Sequence, residues 1–485
     1  MKSKGYRLHP ATLFLVLTLL VAIVVWLLDI YGVSVLNPST NGYLQVQSLF
    51  NAEGSRWLLR NMISNFGAFA PIGMVVVSLL GLGVAEHSGF LSAFCRRIPQ
   101  QSKYTRQVVI FIFIFLGLLS NVLGDAGYVF LLPLVMLVSP WFGINPLYAI
   151  LLTYVSVACG YSANIVVSSM DPLLAKISAE ITEDFQPQNF SSGMHSNYYF
   201  MFVSTFLIVG VVYWVSEKIL RPRLIKRGVD FKPIPLTKLS QRERRSLSLS
   251  VVVGLLFLAI VLWLTFSPLG LFRGVSGHLI RSPFIMGALL IISLTIGIMG
   301  LVYGLFSGKY RSDWDVTKGL VFFIKEFSLF FVIAFFAAQF FACVSYTRFD
   351  QFIVLYLSHF VASLSLPNVA MLIVFILYCA LVNLVMVSAV GKWTLIAPIF
   401  IPLFFQMGIL PDQVQAAYRL GESSTNSMTP FLYYLPFVLV LLKRYVSNIS
   451  FSFLFRNTWY FAIIILFAWL GLFLVWSLLK IPFGI

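Results

Sequence analysis

The sequence predicts an all-α polytopic membrane protein: nine transmembrane helices plus two re-entrant helical hairpins in an inverted repeat. Three observations predict it. Of 485 residues, 59% are hydrophobic and 10% charged, the composition of a chain that lives in lipid rather than of a soluble enzyme with one anchor. Apolar runs of about 17–25 residues recur from end to end, each long enough to cross the hydrocarbon core. Short polar stretches interrupt these runs at matching places in two halves of the chain, and backbone or side chains of that kind persist in hydrocarbon only around a cavity or a site.

In the first half, spans are expected at 11–33 and 66–88, with a first domain of 1–65 made of the first span and its external connection. Lys2, Lys4 and Arg7 precede the first run and no small-residue cleavage site follows it, so it reads as a retained helix rather than a signal peptide. Arg96, Arg97, Lys103 and Arg106 mark an amphipathic connection. Apolar runs at 107–119 and 128–139 then flank Ser120–Gly127 (SNVLGDAG). A helix of 12 or 13 residues covers only about half a bilayer at ~1.5 Å per residue, so 107–139 reads as a re-entrant hairpin; one long kinked helix is the alternative. The third span, 146–171, contains Cys159–Pro172 (CGYSANIVVSSMDP), and an acidic loop with Glu180, Glu183 and Asp184 leads to the fourth, 197–217.

A basic linker, Lys218–Arg245, carries ten Lys or Arg and divides the chain. Spans five to seven are expected at 247–267, 283–306 and 322–344, followed by an amphipathic arm, 347–366. A second hairpin, 369–409, has Ser388–Trp393 (SAVGKW) between its runs. The eighth span, 414–442, breaks at Glu422–Pro430 (ESSTNSMTP), and the ninth is 459–479. The domains are then 1–65, 66–217, a linker 218–246, connecting spans 247–321, and 322–485. Each half runs full span, arm, hairpin with a polar tip, broken span. Such repeats mark secondary transporters, whose site forms where discontinuous helices of the two halves meet.

Charge placement supplies an orientation. With the N-terminus cytoplasmic, 23 of the 33 Lys and Arg fall in cytoplasmic segments, as the positive-inside rule requires. Lys325, Lys392 and Arg419 fall in or beside the membrane. The net charge of +16 therefore reflects topology, and no basic soluble domain exists to bind nucleic acid. Cys95, Cys159, Cys343 and Cys379 are scattered and read as buried apolar residues. The five histidines form no metal-binding pair, and no GxxxxGK[ST] phosphate loop appears.

Five blocks, SNVLGDAGYVFLLPL (Ser120–Leu134), GYSANIVVSSMDPLLA (Gly160–Ala175), NYYFMFVSTF (Asn197–Phe206), SAVGKWTLIAPIFIPLF (Ser388–Phe404) and AYRLGESSTNSMTP (Ala417–Pro430), resemble the aminobenzoyl-glutamate transporter (AbgT) family in order and across nearly the whole chain. The resemblance implies a nine-span, two-hairpin protomer of the ion-transporter superfamily, a homodimer, in the bacterial inner membrane. It implies cation-driven movement of p-aminobenzoyl-glutamate, or in some members export of sulfonamide antimetabolites. The family's site residues fall on Asp171, Trp393, Pro411 and Arg419. Val390 stands where the tip usually has a hydroxyl, Glu422 where an Asp is common, and Phe431 follows Thr429-Pro430 where a second proline is common.

The residues themselves suggest the chemistry. Asp125 and Asp171 are the candidate ion-coupling carboxylates: poorly hydrated, each can hold a proton near neutral pH, or Na⁺ with help from Ser162 and Asn164. Either Asp also fits a helix cap. Asn121, Ser162, Asn164, Ser424, Thr425 and Asn426 lie at helix breaks, where amides can receive an anionic substrate; Asn121, Asn164 and Asn426 are the candidate Na⁺ ligands. Lys392, beside Gly391, and Arg419 suit substrate carboxylates, Arg419 having Glu422 as a rival partner at i+3. Trp393 suits stacking on an aromatic ring, or packing. No cofactor beyond H⁺ or Na⁺ is expected. Partners are the aromatic carboxylate or sulfonamide, membrane lipid and a second protomer. A membrane-embedded enzyme would need a nucleophile–base pair that the sequence lacks, and a channel is set apart from a carrier by saturable flux.

Overall fold

The computed structural model describes residues 8–98, 103–183, 193–226, 234, 237–268, 270–274, 282–446 and 449–484. Lys2, Lys4, Arg7, Asp184 and the linker positions 227–233 and 235–236 lie outside them.

α1 (Pro10–Ile30) leads into a two-stranded antiparallel ribbon, β1 (Ser34–Asn37) and β2 (Gly42–Gln45), whose turn ends on Asn41 with φ +49°. This ribbon was not expected from an all-α pattern; Ser39 Oγ on its turn donates to the Thr394 carbonyl at 3.0 Å, and the His359 ring meets the Leu36 carbonyl at 2.8 Å. Next come α2 (Ala52–Gly67), α3 (Ala70–Ser88), α4 (Phe90–Arg97), α5 (Lys103–Leu119) and α6 (Leu132–Val138). α7 (Pro146–Cys159), α8 (Asp171–Thr182), α9 (Tyr198–Val215) and α10 (Arg221–Lys226) complete the first half. The second half begins with α11 (Gln241–Phe266), α12 (Pro283–Met286), α13 (Ala288–Ser307), α14 (Asp313–Glu326) and α15 (Ser328–Thr347). It continues with α16 (Phe349–Ala362), α17 (Asn368–Val382), α18 (Ala389–Gln406), α19 (Pro411–Thr425), α20 (Leu435–Lys443) and α21 (Phe451–Leu478).

Among the described residues, nine helical stretches are long and apolar enough to cross a membrane. Seven coincide with expected spans. The other two, Tyr104–Leu123 and Ala389–Gln406, fall where hairpin arms were expected, and at 20 and 18 residues each is about 27–30 Å long. The first arm is longer than its apolar core because the polar turn from Lys103 to Gln107 is helical too. Length alone therefore does not make these arms re-entrant.

The two broken spans are absent from that set because each is cut into short pieces. α7 ends in a tight turn at Gly160–Ser162, the chain runs without helix through 163–170, and α8 carries it on to Thr182. The expected end at 171 was thus about one helix too early, and Glu180 lies on α8 rather than in a loop. In the second, the break falls at 426–434, between α19 and α20, instead of at Glu422–Pro430. Glu422, Ser423, Ser424 and Thr425 extend α19, since nothing in that polar run forbids helix until the chain approaches Pro430. Two further boundaries moved: α14 occupies much of the connection before span seven, and the ends of the basic linker are helical, with Ser240 and Glu243 forming a reciprocal cap on α11.

The halves repeat one packing plan. α5 lies on α7 as α17 lies on α19; α6 lies on α7 as α18 lies on α19; and α4 touches α6 as α16 touches α18. Around these, α3 packs on α13 and α14, and α1 on α15, tied by the Ser293 hydroxyl donating to the Val77 carbonyl at 2.6 Å. Every residue of α7 is buried, as are 13 of the 15 residues of α19, while most of α11 is not. α19 is deeply buried although it is rich in polar groups. That combination makes α19 the candidate site.

Candidate substrate and ion site

Local sequence sets each element. Asn145 caps α7, its side-chain oxygen accepting from the Leu147 amide at 2.9 Å, with Pro146 in the first turn. Ser388 caps α18 by accepting from the Gly391 amide at 3.2 Å, which aims Lys392 and Trp393 inward from the first turn. Pro411 opens α19, so Tyr418 and Arg419 follow about two turns later and Glu422 about three, all buried.

Two glycines set how closely the pieces approach. A Cβ on Gly160 would strike the Asn121 amide and the Leu118 carbonyl; on Gly421 it would lie 2.6 Å from Cys379 Cβ and 2.9 Å from the Ala380 nitrogen. They are equivalent positions of the repeat, each seating a broken span on the first arm of its hairpin. Gly160→Ala and Gly421→Ala should each destabilise the protein by about 1–3 kcal/mol through overpacking, measured as a fall in Tm of purified protein.

At the centre are two buried ion pairs. Arg419 Nη1 lies 2.5 Å from Asp171 Oδ1, both side chains about 4% exposed. Its Nη2 donates to the Tyr161 carbonyl at 2.8 Å. Lys392 Nζ lies 3.4 Å from Glu422 Oε1 and donates to Asn383 Oδ1. The rival Arg419–Glu422 pair is not the one formed. Arg419 reaches across to the first half instead, and Glu422 takes Lys392 from the second hairpin. Asp171 is not the residue preceding α8: it stands in the first turn, and its second oxygen accepts from the Ser168 amide at 2.5 Å. Ser162 joins the halves by donating to the Arg419 carbonyl at 2.8 Å, with the Ser423 hydroxyl 2.6 Å away.

The hairpin tips meet the breaks through asparagines. Asn121 donates to the Val157 carbonyl at 2.8 Å. Asn383 donates to Asn426 Oδ1 at 2.8 Å and Thr425 Oγ1 at 3.2 Å, and Asn426 donates to the Ala158 carbonyl at 3.2 Å. Asn164 donates to the Gly160 carbonyl at 2.8 Å. The Oδ1 atoms of Asn121 and Asn164 are buried without a hydrogen-bond partner. Hard oxygens left unpaired beside Gly160 suit Na⁺, whereas Asn426 Oδ1 is already used by Asn383. Ser424 donates to the Gly421 carbonyl at 2.8 Å within α19, and Thr425 donates across to the Ala380 carbonyl of α17 at 2.9 Å. Among the described residues no cluster of three His, Cys, Asp or Glu can hold a metal.

Trp393 is fully buried. Its ring lies 4.6 Å from that of Tyr418 and its indole donates to Ser178 Oγ at 3.0 Å, so here it packs against protein. Asp125 makes no side-chain cap. It accepts from Tyr161 and, at 3.0 Å, from Tyr434, some way from the ion pairs.

Asn383, Tyr161, Ser178 and Tyr434 were missed. Asn383 sits within an expected apolar run, and α17 ends just before it, so the second tip starts at Asn383 rather than Ser388. Its signal was available: Asn383 stands in the second hairpin where Asn121 stands in the first, each 38 or 39 residues before its seating glycine. Nothing in the sequence sets these tyrosines apart from the others among the chain's 21.

Residues 3–485 match the "AbgT putative transporter family". The chain is 30% identical over 481 residues to the p-aminobenzoyl-glutamate transport protein of Escherichia coli K12, covering 98% of this chain and 93% of that protein. Among solved structures, the YdaH transporter of Alcanivorax borkumensis, whose structure was described as revealing an unusual topology, aligns with TM-score 0.53 and 33% identity over 99% of this chain and all of that one. MtrF of Neisseria gonorrhoeae, described as illuminating a class of antimetabolite efflux pumps, aligns with TM-score 0.50 and 31% identity over 97% and 95%. With multiple helices long and apolar enough to cross a membrane and this match over nearly its whole length, the chain belongs to the AbgT family of transporters.

Proposed function

We propose that this protein is a cation-coupled secondary transporter of p-aminobenzoyl-glutamate or related aromatic carboxylates across the bacterial inner membrane, and that it works by alternating access rather than by catalysis. The observation that carries this is the pair of buried ion pairs, Arg419–Asp171 and Lys392–Glu422, which join the start of α8 and the first turn of α18 to the last two turns of α19. p-Aminobenzoyl-glutamate offers two carboxylates. Arg419 and Lys392 are the cations to receive them, Arg419 by a two-pronged contact. Taking Arg419 from Asp171, and Lys392 from Glu422, strands two carboxylates in a poorly hydrated place, which is costly unless a cation neutralises them. Coupling follows: H⁺ or Na⁺ enters with, or leaves against, the substrate. Asp171 is the principal coupling group, with Ser162 and Asn164 beside it. Na⁺ has the unpaired amide oxygens of Asn121 and Asn164.

The hairpins are re-entrant in this reading, because both asparagine tips bond at the helix breaks and so reach about mid-span. The halves are inverted, the domains divide at 66–217 and 322–485, the N-terminus is cytoplasmic, and the protein is a homodimer. Export of sulfonamide antimetabolites against H⁺ is the second reading, supported by the likeness to MtrF. Flux of labelled p-aminobenzoyl-glutamate and of a sulfonamide into vesicles under imposed gradients separates the two.

A further inference from the structure

On the far side of Tyr161 from Arg419, a cavity of about 480 Å³ lies between the first hairpin, the α2–α3 junction and α15. Small-molecule sites fall in the range of about 300–1,000 Å³. Its walls include Phe69, Phe341, Tyr433 and Tyr434, and Asp125 is its one charged residue; Asn65 adds an amide. The Phe341 ring stands 5.9 Å from Phe69 and 4.4 Å from Tyr433. An aromatic chamber with a single carboxylate repels the glutamate end of the proposed substrate, whose cations lie elsewhere. It suits the opposite end, an apolar ring bearing an N–H donor.

We propose that this cavity binds the primary arylamine end of the substrate, its ring against Phe341 and Tyr433 and its amine donating to Asp125. The inference rests on the transport reading above. Tyr161 supports it. Its phenol, a para-substituted ring, donates to Asp125 while its own carbonyl accepts from Arg419. A p-aminobenzoyl unit is built alike: a para hydrogen-bond donor at one end of the ring and a carbonyl at the other. Tyr161 thus occupies the carboxylate oxygen that an arylamine would take, and must yield it when substrate enters. The site reads the part that p-aminobenzoyl compounds and sulfonamides have in common, so both fit it.

Equilibrium binding to the purified full-length protein, without gradients, tests this independently of any coupling role of Asp125. The probes are p-aminobenzoyl-glutamate and benzoyl-glutamate, which lacks the amine. Wild type should prefer the amine by about tenfold or more, as for a hydrogen bond to a charged group. Asp125→Leu should erase the preference, and Tyr161→Phe, which removes the competing donor while keeping the ring, should increase it several-fold. If Asp125→Leu does not fold, the Tyr161→Phe ratio decides alone. Binding of both probes with equal affinity by wild type, preference retained in Asp125→Leu, or an unchanged ratio in Tyr161→Phe overturns the arylamine site while leaving the transport reading intact. Binding of neither probe overturns both.

Discussion

Arg419→Ala will eliminate substrate flux and destabilise the fold by about 3–5 kcal/mol, the range for breaking a buried ion pair from one side. Asp171 would be left almost unexposed with no counter-charge, and the Tyr161 carbonyl would lose its donor. Removing both charges separates the structural part from the functional one. The double variant Arg419→Met with Asp171→Leu should recover most of the lost stability, because a well-packed apolar pair often matches a buried ion pair, but flux should stay at background. Thermal unfolding and vesicle flux on the same preparations check both statements. Recovery of flux in the double variant would show that the pair is only a structural link between the halves.

Asp171→Asn should abolish the dependence of flux on the coupling cation. The asparagine keeps the shape and the bond from the Ser168 amide, but it cannot take up a proton or balance Na⁺ when Arg419 turns to substrate. Flux per folded protein, measured across imposed pH and Na⁺ gradients, should fall at least tenfold, and whatever remains should be insensitive to the gradient. Wild-type gradient dependence in this variant would move coupling to Asp125 or Glu422.

Much of this architecture is legible in the sequence because a bilayer imposes a strict rule: polar backbone and charge at depth need a reason. Cys159–Pro172 and Ala417–Pro430 announce themselves by breaking that rule. Trp393, Arg419 and Asp171 do come together in one buried region. What the sequence hid was pairing. Arg419 and Glu422 are neighbours on a helix by spacing, yet packing of the repeat gives Arg419 to Asp171, 248 positions earlier. Intrahelical proximity was the weaker signal because a buried guanidinium takes whichever carboxylate the fold presents with the best geometry. Asn383 was hidden by the apolar residues on either side of it. The second helix break lies about four residues beyond its expected start, because Ser, Thr and Asn signal a cap or a turn only when packing does not already enforce helix.

The most direct test of a coupled carrier is flux of labelled p-aminobenzoyl-glutamate into proteoliposomes of the wild-type protein under imposed H⁺ or Na⁺ gradients. Saturable flux whose direction and rate follow one of the two gradients is the predicted result. Flux no greater than in protein-free vesicles under either gradient, in both orientations of the gradient, would contradict it.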